Sequence, residues 1–145
     1  KKIRDVEDLV RKDVKLANRN LGSGTRMLLD RKLQELAKRK RMSFDALTGQ
    51  SRAYDSEMMT HREVATGVAT RRADVGVGLA SVAAEMGLGF ISFAEELYDF
   101  LVEKRLRNPY LRGFVDVLAS KRFQRQINAT MSGITFLKET GRTIG

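Results

Sequence analysis

The sequence predicts an α/β domain, a layered sheet of mainly parallel strands flanked by helices. Three observations predict it. Short β-prone runs alternate with stretches of helical periodicity, the order expected of β-α-β units. Two of those runs, residues 14–17 and 73–78, lead through glycine-containing turns into helices. The 145 residues are 42% hydrophobic, which suits one domain with its own core.

Taken in order, residues 3–12 carry Ile3, Val6, Leu9 and Val10 on one side and read as a short amphipathic helix. A strand over 14–17 runs into the turn Gly22-Ser23-Gly24-Thr25. From about Thr25 to Lys40, Leu29, Leu33 and Leu36 recur at helical spacing. That helix ends in Lys38-Arg39-Lys40-Arg41, where cations suit the macrodipole. Residues 43–56 read as irregular, with Phe44, Leu47 and Tyr54 as anchors. Thr60 with Glu63 three residues on is a capping box, and Val64, Ala65, Val68 and Ala69 form the face behind it.

Residues 73–78 read as a short buried strand ending in a glycine turn. A helix from about Leu79 to Met86 is stopped by Gly87-Leu88-Gly89. Strands are expected over 90–94 and 98–102, with Phe90, Phe93 and Phe100 as core. Asn108-Pro109 starts a helix by cap and first-turn rules, with Leu111, Phe114, Val115 and Leu118 as its core face. Ser120 caps a last helix that buries Phe123 and Ile127, and the tail from Thr130 is weakly patterned.

In such sheets ligands collect at the carboxyl ends of strands, where helices begin. The first N–H groups of a helix lack intrahelical partners and, with the macrodipole, attract anions. Glycines admit a ligand close to the backbone, and Ser and Thr hydroxyls add donors. Gly22-Ser23-Gly24-Thr25 is therefore a candidate oxyanion site, although the same residues also serve ordinary capping. It is not a Walker A loop, because Thr25-Arg26 follows Gly24 where Lys-Ser/Thr would be required.

The net charge of +9 invites an anionic partner: a small anion, nucleic acid or a membrane surface. Tryptophan is absent and tyrosines number three, which supplies few stacking platforms for single strands. The absence of cysteine excludes disulfides and thiolate metal sites. No apolar run approaches the roughly 20 residues needed to span a bilayer, so no membrane insertion is expected. No signal peptide is visible, and the chain begins Lys1-Lys2. The expected location is the cytoplasm, or an extracytoplasmic compartment where a signal precedes Lys1.

Several motifs together resemble one family. Asn-Arg-x-x-Gly-Ser-Gly-Thr-Arg-x-Leu-Leu-Asp (18–30) resembles the opening of the periplasmic-binding-protein-like domain of the molybdate-binding kind. Residues 60–78, from Thr-His-x-x-Val-Ala to Asp-Val-Gly-Val-Gly, resemble its second motif. Gly-Leu-x-Phe-Ile (87–91) and Glu-Glu-x-Tyr-Asp (95–99) resemble its third, and Glu-Thr-Gly-Arg (139–142) its tail. Such domains stand alone or are fused to winged-helix ModE-like regulators and to molybdopterin biosynthesis proteins of the MoeA type.

The resemblance implies a single type II binding-protein-like domain over 1–145, one lobe plus part of a second. It implies a non-enzymatic module, without a cofactor, that holds a molybdate- or tungstate-like oxyanion at helix N-termini in an interlobe cleft. About half a lobe of the family domain lies upstream of residue 3. An incomplete second lobe exposes sheet edge and favours a homodimer. The contacts implied are Ser23, Gly24 and Thr25 on the first helix, Thr60 and His61 on the second, and the turn Val77-Gly78-Leu79. Molybdate transporters carry a tyrosine in that turn, which Leu79 replaces here.

Arg19 and Arg26 flank the loop and either bond the anion or lie in salt bridges. Asn18 bonds the loop backbone or the ligand and orients the turn either way. His61, the lone histidine, suits a neutral donor and offers no metal cluster. Tyr98 faces the cleft or ties a hinge. Glu95, Glu96 and Asp99 lack a nucleophile–base pair or metal set for catalysis. The alternative expectation is a regulatory domain of a transcription factor or molybdenum-cofactor biosynthesis protein, acting through protein or DNA contacts.

Overall fold

A parallel ladder is stable when both of its faces are covered, and the strand-forming residues here are covered on both. The computed structural model describes residues 1–101 and 109–142. Strand β1 (Leu16–Ala17) pairs in parallel with β2 (Val75–Gly76), in the register Leu16 to Val75 and Ala17 to Gly76. Residues 52–58 run along the other edge of β1, with parallel bridges from Lys15 to Arg52 and from Arg19 to Met58. Their backbone bonds include Leu16 N–H to Arg52 O at 3.0 Å and Met58 N–H to Asn18 O at 3.0 Å.

Adjacent residues of a strand face opposite sides. Leu16 joins the larger core, with Leu29, Leu33 and Leu36 of α1 (Gly24–Lys40), Leu47 of α2 (Phe44–Thr48), and Val77. Ala17 joins a smaller core with Val64 of α3 (His61–Ala69) and Ala73. Helix α4 (Ala80–Glu85) follows β2. Counting residues 52–58 as a rudimentary second strand, the order is 2-1-3 in chain sequence, with β1 in the middle. The crossovers reverse direction at β1, the topological switch point at which ligands bind in open α/β sheets.

The chain divides into two compact units, Lys1–Glu95 and Glu96–Gly145. The second holds α5 (Pro109–Ala119) and α6 (Lys121–Thr130), joined by Ser120 alone. Ser120 Oγ accepts the Phe123 N–H at 3.3 Å and caps α6. Phe100 meets Phe114 edge-on at 5.0 Å between ring centroids, and Phe123 meets Phe136 at 6.1 Å.

Several expectations are corrected. Residues 3–12 form a 3-10 turn, Val6–Val10, instead of a longer helix; Asp5 caps it by accepting the Glu7 N–H. Ser43, expected in an irregular stretch, caps α2. The expected strands over 90–94 and 98–102 are not formed among the described residues, and Val102 lies outside them. A strand requires a ladder partner, and none of the described backbone bonds joins 90–101 to another segment. Phe90 and Phe100 are exposed, and only Phe93 packs on the core. Phe114 is exposed and Phe123 and Ile127 are half-buried; within this unit two short helices cover only part of each other's surface. Asn108 lies outside the described residues.

Candidate functional site

The parallel arrangement places the carboxyl ends of β1, residues 52–58 and β2 at one end of the sheet, and each leads into a helix start: α1, α3 and α4. After β1, Asn18 is fully buried; its Nδ2 donates to Tyr54 O at 2.9 Å and its Oδ1 accepts the Arg19 N–H at 2.9 Å. The amide thus serves the loop backbone. Ser23 N–H closes the following turn onto Asn20 O, and Gly22 sits at φ +82°, a left-handed geometry that favours glycine.

Ser23 is the N-cap of α1, and its Oγ accepts the Arg26 N–H at 3.2 Å. The first intrahelical bond is Met27 N–H to Ser23 O, so the N–H groups of Gly24 and Thr25 precede it. Thr60 caps α3 in the same way, accepting the Glu63 N–H at 3.1 Å. Glu63 reaches back to the Met59 N–H at 2.8 Å, one residue before the usual capping-box position. The N–H groups of His61 and Arg62 precede the first α3 bond, Val64 N–H to Thr60 O. Gly78 follows β2; a Cβ built there would lie 3.9 Å from His61 Nδ1.

Arg19 crosses from the β1 loop to the start of α3. Its guanidinium donates to Met58 O at 3.1 Å, Met59 O at 3.0 Å and Asn20 Oδ1 at 3.3 Å, and it contacts His61 Nε2 at 2.9 Å. The two carbonyls and the Asn20 amide are neutral acceptors. Arg26 is different: it is 4% exposed, bonds Asp30 at 2.9 and 3.2 Å, and lies 4.3 Å over the Tyr54 ring. Burial works against its charge, but Tyr54 and Asp30 outweigh burial and hold its pKa above the ordinary arginine value. Its Nη1 supports the β1 loop by donating to Arg19 O at 3.2 Å. Arg26 therefore has intramolecular partners for both its charge and its ring face.

The structure sets His61 beside Arg19 and Gly78, and places Ser23, Gly24, Thr25 and Thr60 at helix starts that follow the same sheet end. It gives Arg26 a place beneath them. Tyr98 belongs to the second unit, where it is exposed. Asp30 and the carbonyls of Met58 and Met59 were not singled out from sequence. Asp30 had a readable signal, its position four residues after Arg26 on one helix face; the carbonyls had none. These groups carry N–H and hydroxyl donors and one arginine. Among the described residues no group of three or more His, Asp or Glu could hold a metal ion.

Tyr54 OH donates to Asp30 Oδ1 at 2.6 Å. Burial first, then Asp30, push its pKa up to about 12, while Arg26 pulls the other way. A raised folded-state value means that this contribution to stability is complete below the ordinary tyrosine value of 10.0 and is lost as pH rises through about 12. Ultraviolet titration is expected to show a late-ionising phenol whose loss accompanies alkaline unfolding, and Tyr54→Phe to remove it. An unchanged late phase in Tyr54→Phe would refute the assignment.

The model of the PBP superfamily domain matches residues 1–119 of the chain. Comparison with curated proteins and with solved structures gives no match. No helix among the described residues is long and apolar enough to cross a membrane.

Proposed function

The chain belongs to the PBP superfamily, and from that premise we propose that it is a non-enzymatic module that binds a small oxyanion of the molybdate or tungstate kind. The observation that carries this reading is the arrangement at the sheet end, where the starts of α1 and α3 follow parallel segments beside an arginine with neutral partners. The N–H groups of Gly24, Thr25 and His61, with the Thr25 hydroxyl, are the donors assigned to the anion. Ser23 and Thr60 act through their caps, and Gly78 leaves room beside His61. Donors at helix starts suit a fully deprotonated tetrahedral anion, which accepts hydrogen bonds and donates none.

A thermal-shift panel with molybdate, tungstate, sulfate, phosphate and chloride tests the reading. A ligand at about 100 times its Kd adds roughly 2.7 kcal/mol of stability. For a chain of this size that corresponds to several degrees. A selective shift with molybdate or tungstate is expected, and no shift with any oxyanion would sink the proposal.

One observation favours a second reading, contact with a polyanion. Helix α6 carries Lys121, Arg122 and Arg125 and no acidic residue. A regulatory or cofactor-biosynthesis partner acting through DNA would then show affinity that falls steeply with salt.

A further inference from the structure

We infer that Arg19 is a positioning residue, which fixes His61 as a neutral ring carrying its proton on Nδ1 and ties the start of α3 to the loop after β1. The inference rests on the anion-binding reading for its functional consequence, but not for its chemistry. A guanidinium has five donors and no acceptor. Its 2.9 Å contact with Nε2 therefore requires the lone pair of that nitrogen. A neutral ring then keeps its proton on Nδ1, the atom on the Gly78 side. In water the opposite tautomer of a histidine side chain is the commoner one, so the assignment is distinctive.

The guanidinium is itself held in place. Its Nε and Nη2 donate to Met58 O and Met59 O, the two carbonyls just before the Thr60 cap, and Arg26 supports the Arg19 carbonyl from beneath. One planar side chain thus spans the loop after β1, the segment entering α3 and the ring of the first α3 residue. Lysine could supply a cation there but not the same planar set of donors.

Protonating His61 puts a hydrogen on Nε2 against the Arg19 donors and breaks this tie. Arg19 from the β1 loop contacts the ring, and the charged residues Arg62 and Glu63 follow it on α3. Arg62 is paired with Glu85 of α4 at 2.6 Å, and Glu63 is bonded to the Met59 N–H. The turn Gly78-Leu79 brings no charge. An imidazolium there meets the Arg19 cation.

The test is nitrogen NMR of the full chain at neutral pH, together with molybdate and tungstate titrations. The wild type is expected to show the Nδ1–H tautomer, Arg19→Met the common Nε2–H tautomer, and Arg19→Lys an intermediate state. The inference is overturned by an Nε2–H or cationic ring in the wild type, or by an unchanged tautomer in Arg19→Met. Partners that orient metal-binding histidines contribute about tenfold or more to affinity, and by analogy Arg19→Met is expected to weaken molybdate binding on that scale. Equal affinity in Arg19→Met and wild type would overturn the positioning role. Should no oxyanion bind the wild type, the functional reading fails while the wild-type tautomer still decides the chemistry. The wild-type spectrum also stands if Arg19→Met does not fold.

Discussion

Replacing Arg26 with alanine is expected to destabilise the protein by about 3 kcal/mol, at the lower end of the range for breaking a buried ion pair. The side chain is 4% exposed and has three kinds of partner: the Asp30 carboxylate, the Tyr54 ring and the Arg19 carbonyl. Its removal leaves Asp30 with the Tyr54 hydroxyl as its remaining described partner, and leaves a cavity where the alkyl stem packs. Asp30 is 23% exposed, so water relieves part of the cost. The double variant Arg26→Ala/Asp30→Ala is expected to lose less than the sum of the single losses, because neither charge is then stranded. Urea unfolding measures all three. A loss below about 0.5 kcal/mol in Arg26→Ala, the scale of an ordinary surface substitution, would mean that the triad contributes nothing to the fold.

Gly76→Ala is expected to cost about 1–3 kcal/mol, the range for overpacking a well-filled site. A Cβ at Gly76 would lie 2.3 Å from Val64 Cγ1 and 3.3 Å from Val68 Cγ2. Neither methyl is the far end of a flexible chain, so α3 must shift away from β2. Helix α3 begins at His61, and the shift carries the start of α3 away from Arg19 and Gly78. Oxyanion affinity is therefore expected to fall along with stability. Val64→Ala in the Gly76→Ala background makes room for the new methyl and is expected to restore part of both. If the double variant is no better than Gly76→Ala alone, steric contact with Val64 is not the cause.

The helix starts were legible because capping is local chemistry. Ser23 and Thr60 each bond an N–H three residues on, and nothing distant decides that. Leu29, Leu33 and Leu36 were legible because one buried face fixes their spacing. Strands 90–94 and 98–102 were misread because alternation of side chains states a preference, while a strand exists only with a ladder partner from elsewhere in sequence. Residues 52–58 show the converse: their polar sequence hid a segment held along β1 by backbone bonds and by the Asn18 and Ser56 side chains. At the site, Arg19 and Arg26 looked equivalent in sequence. Asp30 and Tyr54 enclose one, while carbonyls and His61 surround the other, and those partners come from 28 to 42 residues away except for Asp30 and Asn20.

Backbone amide NMR of the isotope-labelled chain, titrated with molybdate and tungstate, tests the central claim most directly. Saturable shifts concentrated at Gly24, Thr25, His61 and Arg62, with sulfate weaker, are the predicted result. No saturable shift at these amides, or shifts confined to α6 around Lys121, Arg122 and Arg125, would contradict it.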